Sequence, residues 1–338
     1  EFRRVLFRSN GKIEVGEGVI LLNGRADGII LGDPITIDEI KTTVEDLETF
    51  SSTQREWHLG QALCYAYMYL LSQGGEKANI RLTYISQRDP ELTLVENTLF
   101  TIGEIVAKVE GYAKAYFRYL SYRRNHVSKR DESVQSLKFP YGGFRPGQEE
   151  VARLVYGLSK KGGTLFVEAP TGIGKTMSTL FPSVSAFKSN ELDRIFYLTA
   201  KTTGCQSAFK AMGELRRNGL DGWDIWLLAK ERLCQRKGAG GNPDECPFAI
   251  GYFAKCRQAL AEALESGRRF SPEYILELSL RMQMCPFEFQ LDLSSYCDLI
   301  ISDYNYAFDP FVRLERFFGE EEDPSTSLLL IDEAHNLL

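Results

Sequence analysis

The run Gly163-Thr164-Leu165-Phe166-Val167-Glu168, followed by Ala169-Pro170-Thr171-Gly172-Ile173-Gly174-Lys175-Thr176, decides how this chain folds. Six residues read as a buried strand, eight as a glycine-rich turn, and a helical pattern opens at Lys175. The GxxxxGK(S/T) spacing carries a mechanism only in that setting. Gly172 and Gly174 let the loop close so that its backbone N–H groups face inward. The following helix N-terminus adds partial positive charge, and together they cradle phosphate. Lys175 would then reach the terminal phosphates of ATP, and the Thr176 hydroxyl would ligate Mg²⁺. Ala169 stands where the spacing asks for glycine.

Working outward, the partner acid of such a loop lies 157 residues downstream of Lys175. Leu328 to Ile331 reads as a short apolar strand, and Asp332-Glu333-Ala334-His335 follows it. Asp332 at the strand's carboxyl end can hold Mg²⁺, while Glu333 can polarise an attacking water. Upstream, Phe144-Arg145-Pro146-Gly147-Gln148 precedes a helix over Gln148–Ser159. The Gln148 amide can donate to and accept from an adenine edge, with Arg145 beside it. Ile195 to Thr199 reads as the next strand, ending in Ala200-Lys201-Thr202, whose hydroxyls and amine suit phosphate contacts that carry no sequence information. Alternating strand, turn and helix predicts a parallel α/β sheet.

Seven cysteines divide into two groups. Cys64, Cys205 and Cys297 are scattered, whereas Cys234, Cys246, Cys256 and Cys285 fall within 52 residues, separated by eleven, nine and twenty-eight residues. No CxxC spacing occurs and no histidine lies in that window, so a zinc ribbon is excluded. The residues alone leave structural thiols and a metal site both open.

The phosphate loop, the DEAH run, the Phe144–Gln148 segment and Phe196-Tyr197-Leu198-Thr199-Ala200-Lys201-Thr202 together resemble the superfamily 2 helicases. Arg232-Leu233-Cys234, Cys285-Pro286-Phe287-Glu288 and Asp298-Leu299-Ile300-Ile301-Ser302-Asp303-Tyr304-Asn305-Tyr306 resemble its XPD/DinG (Rad3-like) branch. That resemblance implies a [4Fe–4S] cluster on Cys234, Cys246, Cys256 and Cys285, carried by an insert over 230–297. It also implies ATP-dependent 5′-to-3′ unwinding of DNA, with roles in repair or processing. Six basic and three acidic residues between Lys230 and Arg257 suit a gate at single-stranded DNA.

The N-terminal part carries a second constellation. Asp27 follows a strand, and in Ile35-Thr36-Ile37-Asp38-Glu39-Ile40-Lys41 the strand period puts Glu39 and Lys41 on one face. Asp27 and Glu39 can hold Mg²⁺ while Lys41 orients a water, as a metal-dependent phosphodiesterase requires. Gln61 and Tyr65, spaced i, i+4, share one helix face. This order resembles the RecB-type nucleases of the PD-(D/E)xK class, whose upstream histidine has no match here, since His58 lies after Lys41. A nuclease domain over 10–125 is expected, then a linker over 126–140, then a motor domain over 141–338. Residues 96–125 read as one long helix, Gln54–Ser72 as another, and Ile80–Ile85 as a strand. The alternative to a working nuclease is a degenerate domain that grips DNA as a scaffold for a P-loop ATPase.

Composition bounds the rest. Of 338 residues 43% are apolar and 25% charged, an ordinary globular balance, and the net charge of −6 excludes a whole-protein basic field. Any DNA contact must be local. No stretch is apolar enough for a membrane span, so a cytoplasmic protein, monomeric and free of membrane, is the expectation. Glu1 to Ser9 reads as a cloning-site or library remnant.

Overall fold

The computed structural model describes residues 8–16, 18–170, 172–189, 192–236, 246–319 and 324–337. The chain divides into two compact units, Glu1–Ser121 and Tyr122–Leu338, each with its own α/β architecture.

In the first unit, β1 (Arg8–Val15) and β2 (Gly18–Arg25) form an antiparallel ribbon. Arg8 and Ser9, expected to be foreign to the fold, pair with Arg25 and Gly24. A four-stranded sheet follows in the order β3 (Gly28–Ile30), β4 (Ile35–Thr43), β5 (Lys77–Ser86), β6 (Thr93–Thr101). β4 and β5 are parallel, and the outer pairs are antiparallel. Parallel neighbours need a crossover, supplied by α1 (Leu47–Gln73). Asp46 caps α1 by accepting a hydrogen bond from the Thr49 amide at 3.0 Å. Leu59, Ala62, Leu63, Ala66 and Leu70 bury one stripe of α1 against Ile37, Ile80, Leu82 and Tyr84.

The expected helix over 96–125 begins later than its pattern. Residues 93–101 form β6, and α2 runs from Ile102 to Ser136. Exposure alternates residue by residue along this edge strand, the period of a strand and not of a helix, and the helical reading from Glu96 runs through it. The expected linker over 126–140 is corrected likewise: through Ser136 it is helix, because His126, Arg130 and Val134 are buried. Arg123, His126 and Arg130 recur at i, i+3 and i+7 and meet one carboxylate, Asp298. Arg123 Nη1 donates to Asp298 Oδ1 at 2.5 Å and Arg130 Nη1 to the same oxygen at 2.9 Å. His126 Nε2 lies 2.5 Å from Oδ2, which also accepts the Trp223 amide at 2.8 Å. The His126 ring stacks on Trp223 at 3.7 Å and 4°. Burial pushes the Asp298 pKa up, yet the surrounding cations, Arg123 foremost, hold it below the usual carboxylate range.

The second unit holds a parallel sheet in the order β10 (Ser327–Asp332), β7 (Arg194–Thr199), β9 (Leu299–Ser302), β8 (Asp224–Trp226). Helices α3 (Gln148–Lys161), α4 (Lys175–Ser185) and α5 (Thr202–Arg217) accompany it. The cysteine window contributes α6 (Lys230–Leu233), α7 (Tyr252–Glu265), α8 (Pro272–Arg281) and α9 (Pro286–Ser294).

One expected strand is absent. Residues 163–168 are irregular, and Phe166 and Val167 are 89% and 41% exposed. A buried parallel strand needs a ladder partner. Among the described residues none pairs with the free edge of β10 or with this run.

Candidate functional site

The phosphate loop ends in Gly174, whose left-handed backbone (φ 89°) turns the chain into α4 at Lys175. A side chain there would also collide with Gln148, since an added Cβ would lie 2.4 Å from its amide nitrogen. Gln148 is buried, and its Oε1 accepts the Arg145 amide at 2.8 Å. Arg145 Nη1 donates to the Gly172 carbonyl at 2.9 Å. The Phe144–Gln148 segment therefore packs on the loop, with the Phe144 ring tilted against Phe139 at 4.1 Å. Lys175 Nζ donates to the Ala169 carbonyl at 3.2 Å, folding its ammonium back over the loop. Ile173 approaches Gly147 from the loop side. Pro170 is exposed, and Thr171 lies outside the described residues.

Parallel pairing of β10 with β7 sets Asp332 beside Thr199 and Leu330 beside Tyr197. Tyr197 is buried, and its hydroxyl faces both Thr176 and Asp332. Burial, with the Asp332 carboxylate next, raises its pKa above the ordinary phenol value. Thr176 and Asp332, 156 residues apart in sequence, thus meet around one hydroxyl. Tyr304 donates to the backbone carbonyls of Asp332 and of Glu333, the latter at 3.0 Å. Glu333 adopts a positive φ of 56°, a conformation costly for a residue with a side chain and held here by Tyr304 and Asn336. His335 Nε2 lies 3.6 Å from its carboxylate. Tyr197 and Tyr304 were not read as site residues from sequence. Strand parity could have signalled Tyr197, two positions from Thr199 and hence on its face.

Lys201 is exposed immediately before α5, at the carboxyl end of β7.

Among the described residues the four cysteines of the window do not form one group. Among the described residues no group of three or more His, Cys, Asp or Glu side chains could hold a metal ion. Cys285 lies within electrostatic reach of Cys246 at the start of α9, and burial raises its pKa. Cys256, however, is buried on α7 with its thiol 3.5 Å from Asp292 Oδ2, an oxygen that also accepts the Tyr252 hydroxyl at 2.8 Å. Burial pushes this thiol up to about 12. Thiolate ligation of a cluster requires four convergent sulfurs. Among the described residues Cys234, Cys246, Cys256 and Cys285 are not gathered into one such group, and residues 237–245 of this window lie outside the described residues. Cys205 and Cys64 lie in the apolar cores, the first buried and the second half-buried, while Cys297 is buried beside the Asp298 charge cluster.

The first unit brings Asp27, Glu39 and Lys41 together, and separately pairs Gln61 with Tyr65. Lys41 Nζ sits 2.5 Å from Glu39 Oε1, and Asp27 Oδ2 accepts the Ile40 amide at 3.0 Å. Glu39 is 1% exposed, and neither carboxylate oxygen has a hydrogen-bonding partner of good geometry. Burial raises its pKa, Lys41 opposes that, and Asp27 and Asp38 add to it. A buried carboxylate paired with Lys41, with a second acid alongside, suits a divalent cation. Gln61 Nε2 donates to the Tyr65 hydroxyl at 3.2 Å, and Tyr65 packs on Gly24 of β2. Sequence reading set His58 aside, yet its Nδ1 lies 3.2 Å from the Tyr84 hydroxyl, and Tyr84 faces Lys41 across the β4–β5 register. Burial, then Lys41, lowers its pKa to about 4.

No described helix is long and apolar enough to cross a membrane. Residues 227–338 match the DEAD_2 family model. The helicase subunit XPD of general transcription and DNA repair factor IIH from Dictyostelium discoideum is 24% identical over 230 residues, covering 59% of this chain and 29% of that protein. A regulator of telomere elongation helicase 1 homolog from Caenorhabditis elegans is 23% identical over 244 residues, 60% of this chain and 24% of that protein. A solved XPD helicase structure superposes with a TM-score of 0.41 at 19% identity, covering 58% of this chain and 34% of that one. The chain thus spans less than a third of the length of these curated relatives. Over residues 227–338 the chain is thus similar to the DEAD_2 family, and over about 60% of its length to XPD-type and telomere-elongation helicases.

Proposed function

We propose that the second unit is the nucleotide-binding part of an ATP-dependent DNA helicase. The observation that carries this reading is the meeting of Thr176 and Asp332 around Tyr197, beside a loop braced by Arg145 and Gln148. Lys175 would bind the terminal phosphates, Thr176 and Asp332 would hold Mg²⁺, and Glu333 would orient the attacking water. Lys201 would touch a DNA phosphate. Lys175→Ala should abolish binding of a fluorescent ATP analogue in the presence of Mg²⁺ while leaving the circular dichroism spectrum unchanged. Equal affinity in the variant would refute the assignment.

A second reading concerns the first unit, and the buried Glu39 carboxylate, paired with Lys41 and with Asp27 nearby, favours it. Asp27 and Glu39 would hold a divalent cation, with Lys41 positioning water and Gln61 and Tyr65 alongside, for metal-dependent DNA cleavage. Glu39→Gln should abolish Mn²⁺-dependent nicking of supercoiled plasmid and remove saturable Mn²⁺ binding measured by electron paramagnetic resonance. Undiminished Mn²⁺ binding would overturn the metal role, and undiminished nicking would place cleavage elsewhere.

A further inference from the structure

The C-terminal end of α5 borders an open cavity of about 680 Å³ lined by Lys210, Gly213, Glu214, Arg216, Arg217 and Arg269. At ~1.5 Å per residue, the 16 residues of α5 carry this end roughly 24 Å from Thr202 and the nucleotide-binding side. Nothing in the reading of the motor uses it.

The cavity is built around two guanidinium groups held in place from behind. Arg269 Nε donates to both oxygens of the fully buried Asp224 at 3.0 Å, and its Nη2 donates to Asp224 and to the Phe209 carbonyl. Its planar head stacks on the Phe209 ring at 3.5 Å. Nη1 stands against Gly213, where an added Cβ would lie 2.8 Å away. A glycine weakens a helix interior, and here the missing side chain makes the space that the guanidinium fills. Arg216 is anchored through Nη2 to the Gly267 carbonyl at 3.0 Å. Its Nη1 is buried, 3.8 Å from Asp224, and has no hydrogen-bond partner. Lys210 and Arg217 are exposed at the rim, where Arg217 pairs with Glu214 at 2.6 Å. Four cations therefore face two carboxylates in a chain whose net charge is −6.

We propose that this cavity binds the phosphodiester backbone of a nucleic-acid strand, as a contact separate from the strand-end contact at Lys201. The inference rests on the helicase reading above. An acidic protein partner would share the charge but needs an apolar or aromatic anchor at its centre. This lining offers none. Backbone contacts to nucleic acid are made by such arginines and lysines without base readout. Preorganised guanidiniums also lose little freedom when they engage a tetrahedral anion.

The test uses the full 338-residue chain and fluorescence anisotropy of a fluorescein-labelled forked DNA duplex, titrated between roughly 50 and 200 mM salt. The variant Lys210→Ala/Arg217→Ala changes only exposed rim residues. Loss of two phosphate contacts should weaken binding about 5- to 10-fold and reduce the slope of log K against log salt by about 2. A parallel titration replaces DNA with a labelled polyglutamate peptide, expected to bind far more weakly. Unchanged DNA affinity and slope in this variant, with binding lost in Lys201→Ala, would overturn the cavity assignment and leave the helicase reading intact. Tighter binding of polyglutamate than of DNA at the cavity would overturn it in favour of an acidic protein. No DNA binding by the unaltered chain at the lowest salt would overturn both.

Discussion

His58 shows how much a single side chain depends on its surroundings. It is held between Phe50 and Tyr84, at ring distances of 5.7 and 5.6 Å, with the Lys41 charge nearby. In the unfolded chain it takes up a proton near pH ~6.5. In the folded chain it does so only at about 4. Between these values the unfolded state binds more protons, so folding stability falls as pH is lowered through that window. Chemical denaturation at pH 7 and at pH 4.5 should show this loss, and His58→Gln should reduce it while retaining a partner for Tyr84. A variant with the same pH dependence as the unaltered chain would show that His58 is not the group responsible. Asp27, Glu39 and Lys41 were legible beforehand because strand periodicity alone sets which of them share a face. His58 was not, because its significance comes from α1 crossing back over β4 and β5. The same holds for Tyr197, whose hydroxyl matters only once β10 lies beside β7.

At the scale of elements, the second half of α2 is held by a charge cluster instead of an apolar stripe. Arg123, His126 and Arg130 converge on Asp298 directly ahead of β9, and Arg130 also lies over the Phe187 ring at 3.9 Å. Removing one member of a buried ion cluster leaves the others uncompensated, at a cost of about 3–5 kcal/mol. Asp298→Ala should lower the stability of the second unit by that order, measured by urea unfolding. A loss below about 1 kcal/mol would mean that water or neighbouring carbonyls replace the carboxylate. Because the Asp298 pKa is depressed in the fold, its contribution is complete above the ordinary carboxylate range, near pH ~4, and is lost as pH falls through the folded value. Polar composition made 126–140 look like a connector in the sequence, since charged residues on a helix ordinarily face water. A buried acid 168 residues beyond Arg130 reverses that reading. Residues 163–168 fail in the other direction. Their apolar run has strand character, yet hydrogen-bonded partners decide whether a strand exists, and here they are missing.

Across the whole molecule, two separate cores predict separable unfolding. Leu63 is fully buried in the first unit among Ile37, Ala66, Ile80 and Tyr84, and Leu63→Ala should cost about 2–5 kcal/mol there. Differential scanning calorimetry should show one transition displaced and a second, belonging to the unit of Leu180, Leu198 and Ile301, unmoved. Equal displacement of both would reveal one cooperative molecule. By itself the sequence determined what local rules dictate: α/β class, the phosphate loop at the head of α4, the acid at the end of β10, and the paired acid and lysine on β4. Each follows from spacing within a strand, a turn or a helix start. Tertiary structure alone decided which distant groups meet. It brought Thr176 to Asp332, folded Cys256 toward Asp292, turned α2 into an anchored helix, and set Arg216 and Arg269 around one cavity. Pairing register and burial are properties of the folded chain, and both the charge state and the partners of a side chain follow from them.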